Sequence, residues 1–255
     1  WKSVLSGITI FLKLILALNA VMNFAGMIRK VMSGQSSPIQ IAWALMPPLF
    51  YSVGLHTYVH FTWNGNKLCA LFLNWRTACR KMVYSGEIKS TKWRLRFCCF
   101  GVLLSAICEN IIYHTRLDCS QSSCQHLKRL PGKNFTTTGQ IEEYYWSQHG
   151  ENWFGMPYSL AVTALLFLAN KLTVLATNYA DITIISMAWV LASKFQGFLQ
   201  HVKCRVADES VCWLQVRKDF VTLHKLMLQM NEFLSPVIFA SYTLLLELIS
   251  TQVIL

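Results

Sequence analysis

Long apolar runs dominate the chain. A membrane-crossing helix needs about 20 apolar residues to cover a hydrocarbon core of about 30 Å. Five runs reach that scale: residues 4–27, 38–62, 97–115, one that begins near Met156, and 233–255. Lys13 interrupts the first, and Pro47 with Pro48 predicts a kink in the second. The expected fold is therefore all-α: a polytopic membrane protein in a single transmembrane domain covering residues 1–255.

The fourth run is too long for one bilayer. From Met156 to Ser193 no strong breaker interrupts it, and a helix of that length spans roughly 57 Å. Two readings remain open. Either "NYAD" (178–181) turns the chain into a hairpin, or one helix crosses at 156–181 and continues to about residue 201. A hairpin would put Lys203, Arg205, Arg217 and Lys218 outside and has no Gly or Pro at its turn, so the single helix is favoured. Beyond it, residues 195–232 are amphipathic. Trp213, Val216, Phe220, Leu223 and Met227 recur at helical spacing, which predicts a cytosolic helical hairpin turning at "CRVADES".

Composition and charge sharpen this. Of the 255 residues, 54% are hydrophobic and 14% charged, against about 25% charged in soluble domains. The net charge of +11 does not point to nucleic acid, because it gathers in loops between apolar runs. The loop at 63–96 holds Lys67, Arg76, Arg80, Lys81, Lys89, Lys92, Arg94 and Arg96 against one acid, Glu87. Such an excess belongs in the cytosol. The loop at 116–154 is balanced, carries a glycosylation sequon at Asn134, and holds Cys119 and Cys124, which could pair outside. The expected topology is a multi-pass plasma-membrane protein with a cytoplasmic N-terminus and the 116–154 loop extracellular. That orientation, with no Asp-Arg-Tyr or Asn-Pro-x-x-Tyr signature, disfavours a G-protein-coupled receptor. The chain opens on Trp1 and stops inside an apolar run, so it is expected to be part of a longer protein.

Ionisable and amide groups inside spans are functional candidates. Ser105, Glu109 and Tyr113 are spaced by four on one face, with Asn110 and His114 beside them. Thr243, Glu247 and Thr251 repeat the spacing in the last span. Thr163, Asn170, Thr177 and Asp181 fall within about 20° of one line at 100° per residue, and Tyr158 and Lys171 lie in the outer half of that helix. Carboxylates accept from vicinal hydroxyls, amides both donate and accept, and aromatic faces cover the C–H face of a pyranose. The candidate ligand residues are Glu109, Asn110, Tyr158, Asn170 and Glu247. Polar stripes also join helices through hydrogen bonds, and Lys171 could pair with Glu109 or Glu247, so a structural role stays open for each. His56 and His60 are four apart but have no obvious third metal ligand. No nucleotide loop or Gly-x-Ser-x-Gly is present. No enzyme activity, metal or cofactor is expected.

The stretch "PYSLAVTALLFLANKLTVLATNYADITIISMAWVLASKFQGFLQHV" resembles the fourth-helix region of insect gustatory receptors of the sugar (trehalose-receptor) clade, at Pro157, Tyr158, Ser159, Asn178, Tyr179, Asp181, Ile182, Ser186, Leu191, Ala192, Lys194 and Phe195. "WLQVRKDFVTLHKLMLQMNEFLSPVIFASY" is similar to a downstream motif of that clade through Trp213, Arg217, Asp219, Leu223, Ser235 and Pro236. "AICENII" matches its third-span segment at Glu109 and departs at Asn110; Thr183 replaces a usual Phe.

The resemblance implies a seven-span subunit, of which this chain would hold five spans with long cytosolic helix extensions. It implies assembly with other subunits, homo- or heteromeric, into tetrameric sugar-gated, non-selective cation channels of taste neurons. The pore would be lined by a seventh helix not contained here. The partners implied are a sugar, sister subunits and membrane lipid. The alternatives are a related chemoreceptor for a bitter compound or odorant, or a transporter or non-signalling membrane protein. Inverted repeats would favour a transporter, and none is evident.

Overall fold

The computed structural model describes residues 2–33, 37–83, 90–115, 142, 145 and 158–254. Regular structure among these residues is helical throughout, with no strand. The helices are α1 (Lys2–Met32), α2 (Pro38–Trp63), α3 (Gly65–Lys81), α4 (Ser90–Thr115), α5 (Leu160–Ala207) and α6 (Trp213–Ile254). They divide between two compact units. The first comprises residues 1–59, 105–177 and 241–255, the second residues 60–104 and 178–240.

α1 reverses the burial pattern of a water-soluble helix. Asn19 and Asn23 are 1% exposed, whereas Leu14 and Val21 are 63% exposed. Water drives leucine in and amides out. A helix that hides amides and presents leucines suits lipid. Two helices among the described residues are long and apolar enough to cross a membrane: α1 over Val4–Met32, and α5.

Local chemistry fixes the ends of α2. Ser37 and Gln40 form a reciprocal cap: the Gln40 amide N–H donates to Ser37 Oγ at 3.3 Å, and the Ser37 N–H donates to Gln40 Oε1 at 3.0 Å. With Pro38 as first helical residue, this is a capping box. The helix continues through Pro47 and Pro48. At its other end only Asn64 separates it from α3, and helical hydrogen bonds bridge the break: Asn64 N–H to the His60 carbonyl and Leu68 N–H to the Asn64 carbonyl. α3 lies inside the stretch expected as a loop. Leu68, Leu71 and Trp75, three to four residues apart, pack it into the second unit's core.

α5 is one continuous helix of 48 residues, about 72 Å long. Asn178 to Asp181 are helical, so the hairpin alternative is not realised. The chain turns at Asp208–Cys212 instead. There Ser210 N–H donates to the Arg205 carbonyl at 3.0 Å and Glu209 N–H to the Val206 carbonyl at 3.1 Å. This is the Schellman pattern, with Glu209 at φ 53° in the left-handed position that glycine favours. α6 then runs unbroken for 42 residues through Pro236.

The second unit has an apolar core. Leu71, Met187, Met230, Phe233 and Leu234 form one cluster, and Met82, Phe198 and Leu223 another. Phe61 meets Tyr179 at 4.9 Å edge-on, and the ring of His60 lies 5.0 Å from that of Phe233. The buried seam of α6 is Asp219, Leu223, Leu226, Met230, Phe233 and Val237. It overlaps the amphipathic face expected from sequence only in part: Leu223 is buried and Trp213 is 66% exposed. Trp213 opens the helix, where the packed seam has not yet begun.

Candidate functional site

The candidate ligand residues and the motif residues from Asn178 onward fall in different units. Glu109, Asn110, Tyr158, Asn170 and Glu247 all fall in the first unit. Asn178, Tyr179, Asp181, Trp213, Arg217, Asp219 and Pro236 all fall in the second.

In the first unit, Tyr158 lies two residues before the start of α5 and is half-buried. Its ring meets that of Tyr145 edge-on at 5.9 Å, a geometry favourable to aromatic pairs. Tyr145 is fully buried and clusters with Leu166, Met22, Tyr158 and Val162. Burial pushes the Tyr145 hydroxyl above its ordinary pKa, so it stays a neutral donor. Asn170 on α5 and Glu247 on α6 are half-buried. Lys171 lies with its Nζ 5.0 Å from the Phe167 ring centroid, a cation–π distance. Glu109 and Asn110 sit in the last turns of α4, and their side chains lie outside the described residues.

The polar line drawn along α5 is only partly a lining. Thr163 donates to the Ser159 carbonyl at 2.9 Å. Thr177 donates to the carbonyls of Thr173 and Val174 at 3.1 and 3.0 Å. Hydroxyls bonded back to their own helix in this way present little polarity sideways. Asp181 is exposed. The face that α5 buries in this unit runs through Thr163, Leu166, Ala169, Thr173 and Ala176. Its small residues permit close approach. Gly54 of α2 exploits this: a Cβ there would overlap Thr173 Cγ2. Gln40, at the start of α2, is engaged in that helix's cap.

Two buried amides were not among the candidates. Asn23 Nδ2 donates to the Asn19 carbonyl at 2.8 Å and to Asn19 Oδ1 at 3.0 Å. The signal lies in "ALNAVMNFAG", where two amides four residues apart share one face of an otherwise apolar span. The half-buried Lys13 is the more conspicuous residue in that run.

In the second unit, Tyr179 and Asp219 are engaged in packing and hydrogen bonding. Tyr179 packs on Phe61. Asp219 is 3% exposed and accepts from Gln215 Nε2 at 2.8 Å. Trp213 and Arg217 are exposed, and Pro236 lies within α6. Cys69, Cys79, Cys98, Cys99, Cys108, Cys204 and Cys212 form no disulfide among the described residues. Asn134, Cys119 and Cys124 lie outside the described residues.

Comparison with curated proteins finds no significant match. A family model described as "Trehalose receptor" matches residues 3–255, nearly the whole chain. Covering nearly all of a helical chain whose α1 buries amides and presents leucines, this match establishes that the chain belongs to the trehalose receptor family.

Proposed function

We propose that the chain is a subunit of a sugar-gated, non-selective cation channel in the plasma membrane of chemosensory neurons, acting as a sweet-taste receptor and not as an enzyme. The observation that carries this reading is the family match over residues 3–255. The ligand is a sugar held in the first unit by Tyr158, Asn170 and Glu247, with Glu109 and Asn110 on α4. The half-buried carboxylate, amide and aromatic side chains of that unit support recognition of a polyol.

The chain crosses the membrane several times with its N-terminus inside. Support comes from the basic stretch at 63–96 and from the length of α5, which exceeds a bilayer core about twofold. Sister subunits complete a tetramer, and sugar binding shifts the assembly toward an open state by contacts that differ between the two states.

The test is electrophysiological. The full-length receptor carrying this chain is expressed in oocytes and challenged with trehalose and other sugars. Sugar-evoked cation currents, weakened in Glu247→Gln and Asn170→Leu, are the expected result. Sugar-independent behaviour with no measurable sugar binding would overturn the reading.

A further inference from the structure

Tyr145 comes from the stretch between α4 and α5, yet its side chain is fully buried. It forms a cluster with Leu166 of α5, and Met22 of α1, Val162 and Tyr158 pack around the two. A ring taken wholly out of water into close-packed neighbours is a fixed body.

Tyr158 is held differently. The hydrogen-bond frame of α5 begins at the Ser159 carbonyl, which accepts from the Thr163 N–H and from Thr163 Oγ1, both at 2.9 Å. Ser159 is thus at the N-cap position, and Tyr158 precedes it. The helix does not set the direction of the Tyr158 side chain, so packing does. Its ring stands 5.9 Å from that of Tyr145, with the planes at 71°. Aromatic quadrupoles favour this edge-to-face arrangement, so the contact fixes the angle of the ring as well as its place. An aliphatic neighbour would fix the place alone. Tyr158 is half-buried and keeps surface with which to meet a ligand.

We propose that Tyr145 is a positioning residue of the sugar site: it holds the Tyr158 ring at the angle in which that ring meets the sugar, and touches no ligand itself. A pyranose lays its C–H face on an aromatic ring, a contact that depends on the ring's angle. Through Tyr145 the stretch between α4 and α5 contributes to affinity. The proposal rests on the reading of the chain as a sugar receptor with Tyr158 as a binding residue.

A residue that only fills the core changes affinity through the fold, whether or not Tyr158 is present. A positioning residue acts through Tyr158. A double-mutant cycle separates the two. Purified full-length receptor in lipid nanodiscs is titrated with trehalose as wild type, Tyr145→Leu, Tyr158→Leu and the double variant. Tyr145→Leu is expected to bind trehalose about two- to tenfold more weakly, the strength of one edge-to-face pair, and to have no further effect once residue 158 is Leu. Tyr145→Phe keeps the ring and is expected to bind as wild type does. Wild-type affinity in Tyr145→Leu or in Tyr158→Leu overturns the proposal. So does an equal loss from Tyr145→Leu in both backgrounds. If Tyr145→Leu does not fold, Tyr145→Met, whose flexible side chain fills irregular gaps, takes its place in the cycle. Failure of both to fold overturns the proposal too, because Tyr145 would then be holding the unit together. Wild-type receptor that binds no trehalose overturns the receptor reading itself.

Discussion

Gly54 and Thr173 meet with no room for a side chain between them. A Cβ on Gly54 would stand 3.1 Å from the Thr173 Cα, besides overlapping its side chain. Backbone cannot yield as a flexible side-chain tip can. Gly54→Ala is expected to destabilise the first unit by about 1–3 kcal/mol, as overpacking does. Thermal unfolding in detergent measures this, and an unchanged melting temperature would contradict the contact.

Leu223 and Trp213 share a face by sequence spacing but not by burial. Leu223 is fully buried and Trp213 is 66% exposed. Leu223→Ala should destabilise by about 2–5 kcal/mol through lost burial and a cavity, and Trp213→Ala by well under half of that. Equal effects on unfolding would count against the observed register of α6.

Glu209 occupies the left-handed cap position of α5 with φ 53°. A side chain with a Cβ is disfavoured there by roughly 1–2 kcal/mol. Glu209→Gly should raise stability by up to about 1 kcal/mol, the relief being offset by glycine's greater freedom when unfolded. A lower melting temperature in Glu209→Gly would show that the charge, not the backbone, matters at this turn.

Cys204 and Cys212 flank that turn as exposed thiols. In a receptor whose other cysteines are replaced, a membrane-impermeant maleimide should label these two only after the cells are permeabilised. Labelling of intact cells would place the turn outside and reverse the proposed orientation.

The helical class and the great length of α5 were legible in the sequence, because a run without breakers encodes both. The register within each helix was not. Thr163 and Thr177 look alike in a list of polar residues, yet both turn their hydroxyls onto their own backbone. α3 was hidden because its Leu68–Leu71–Trp75 spacing sits among basic residues that mark a loop. For the candidate site, residue types suggested chemistry, but burial singled out Asn19 and Asn23, which carry no charge to draw attention.

The arrangement of α1 ties this fold to its solvent. Transferred to water, the helix would experience a reversed force: Leu14, Leu18 and Val21 would be driven inward and the two amides outward. Refolding from denaturant in aqueous buffer should therefore select a different packing or none, whereas insertion during synthesis presents the correct side from the start. For this chain the bilayer is a folding instruction as much as a location.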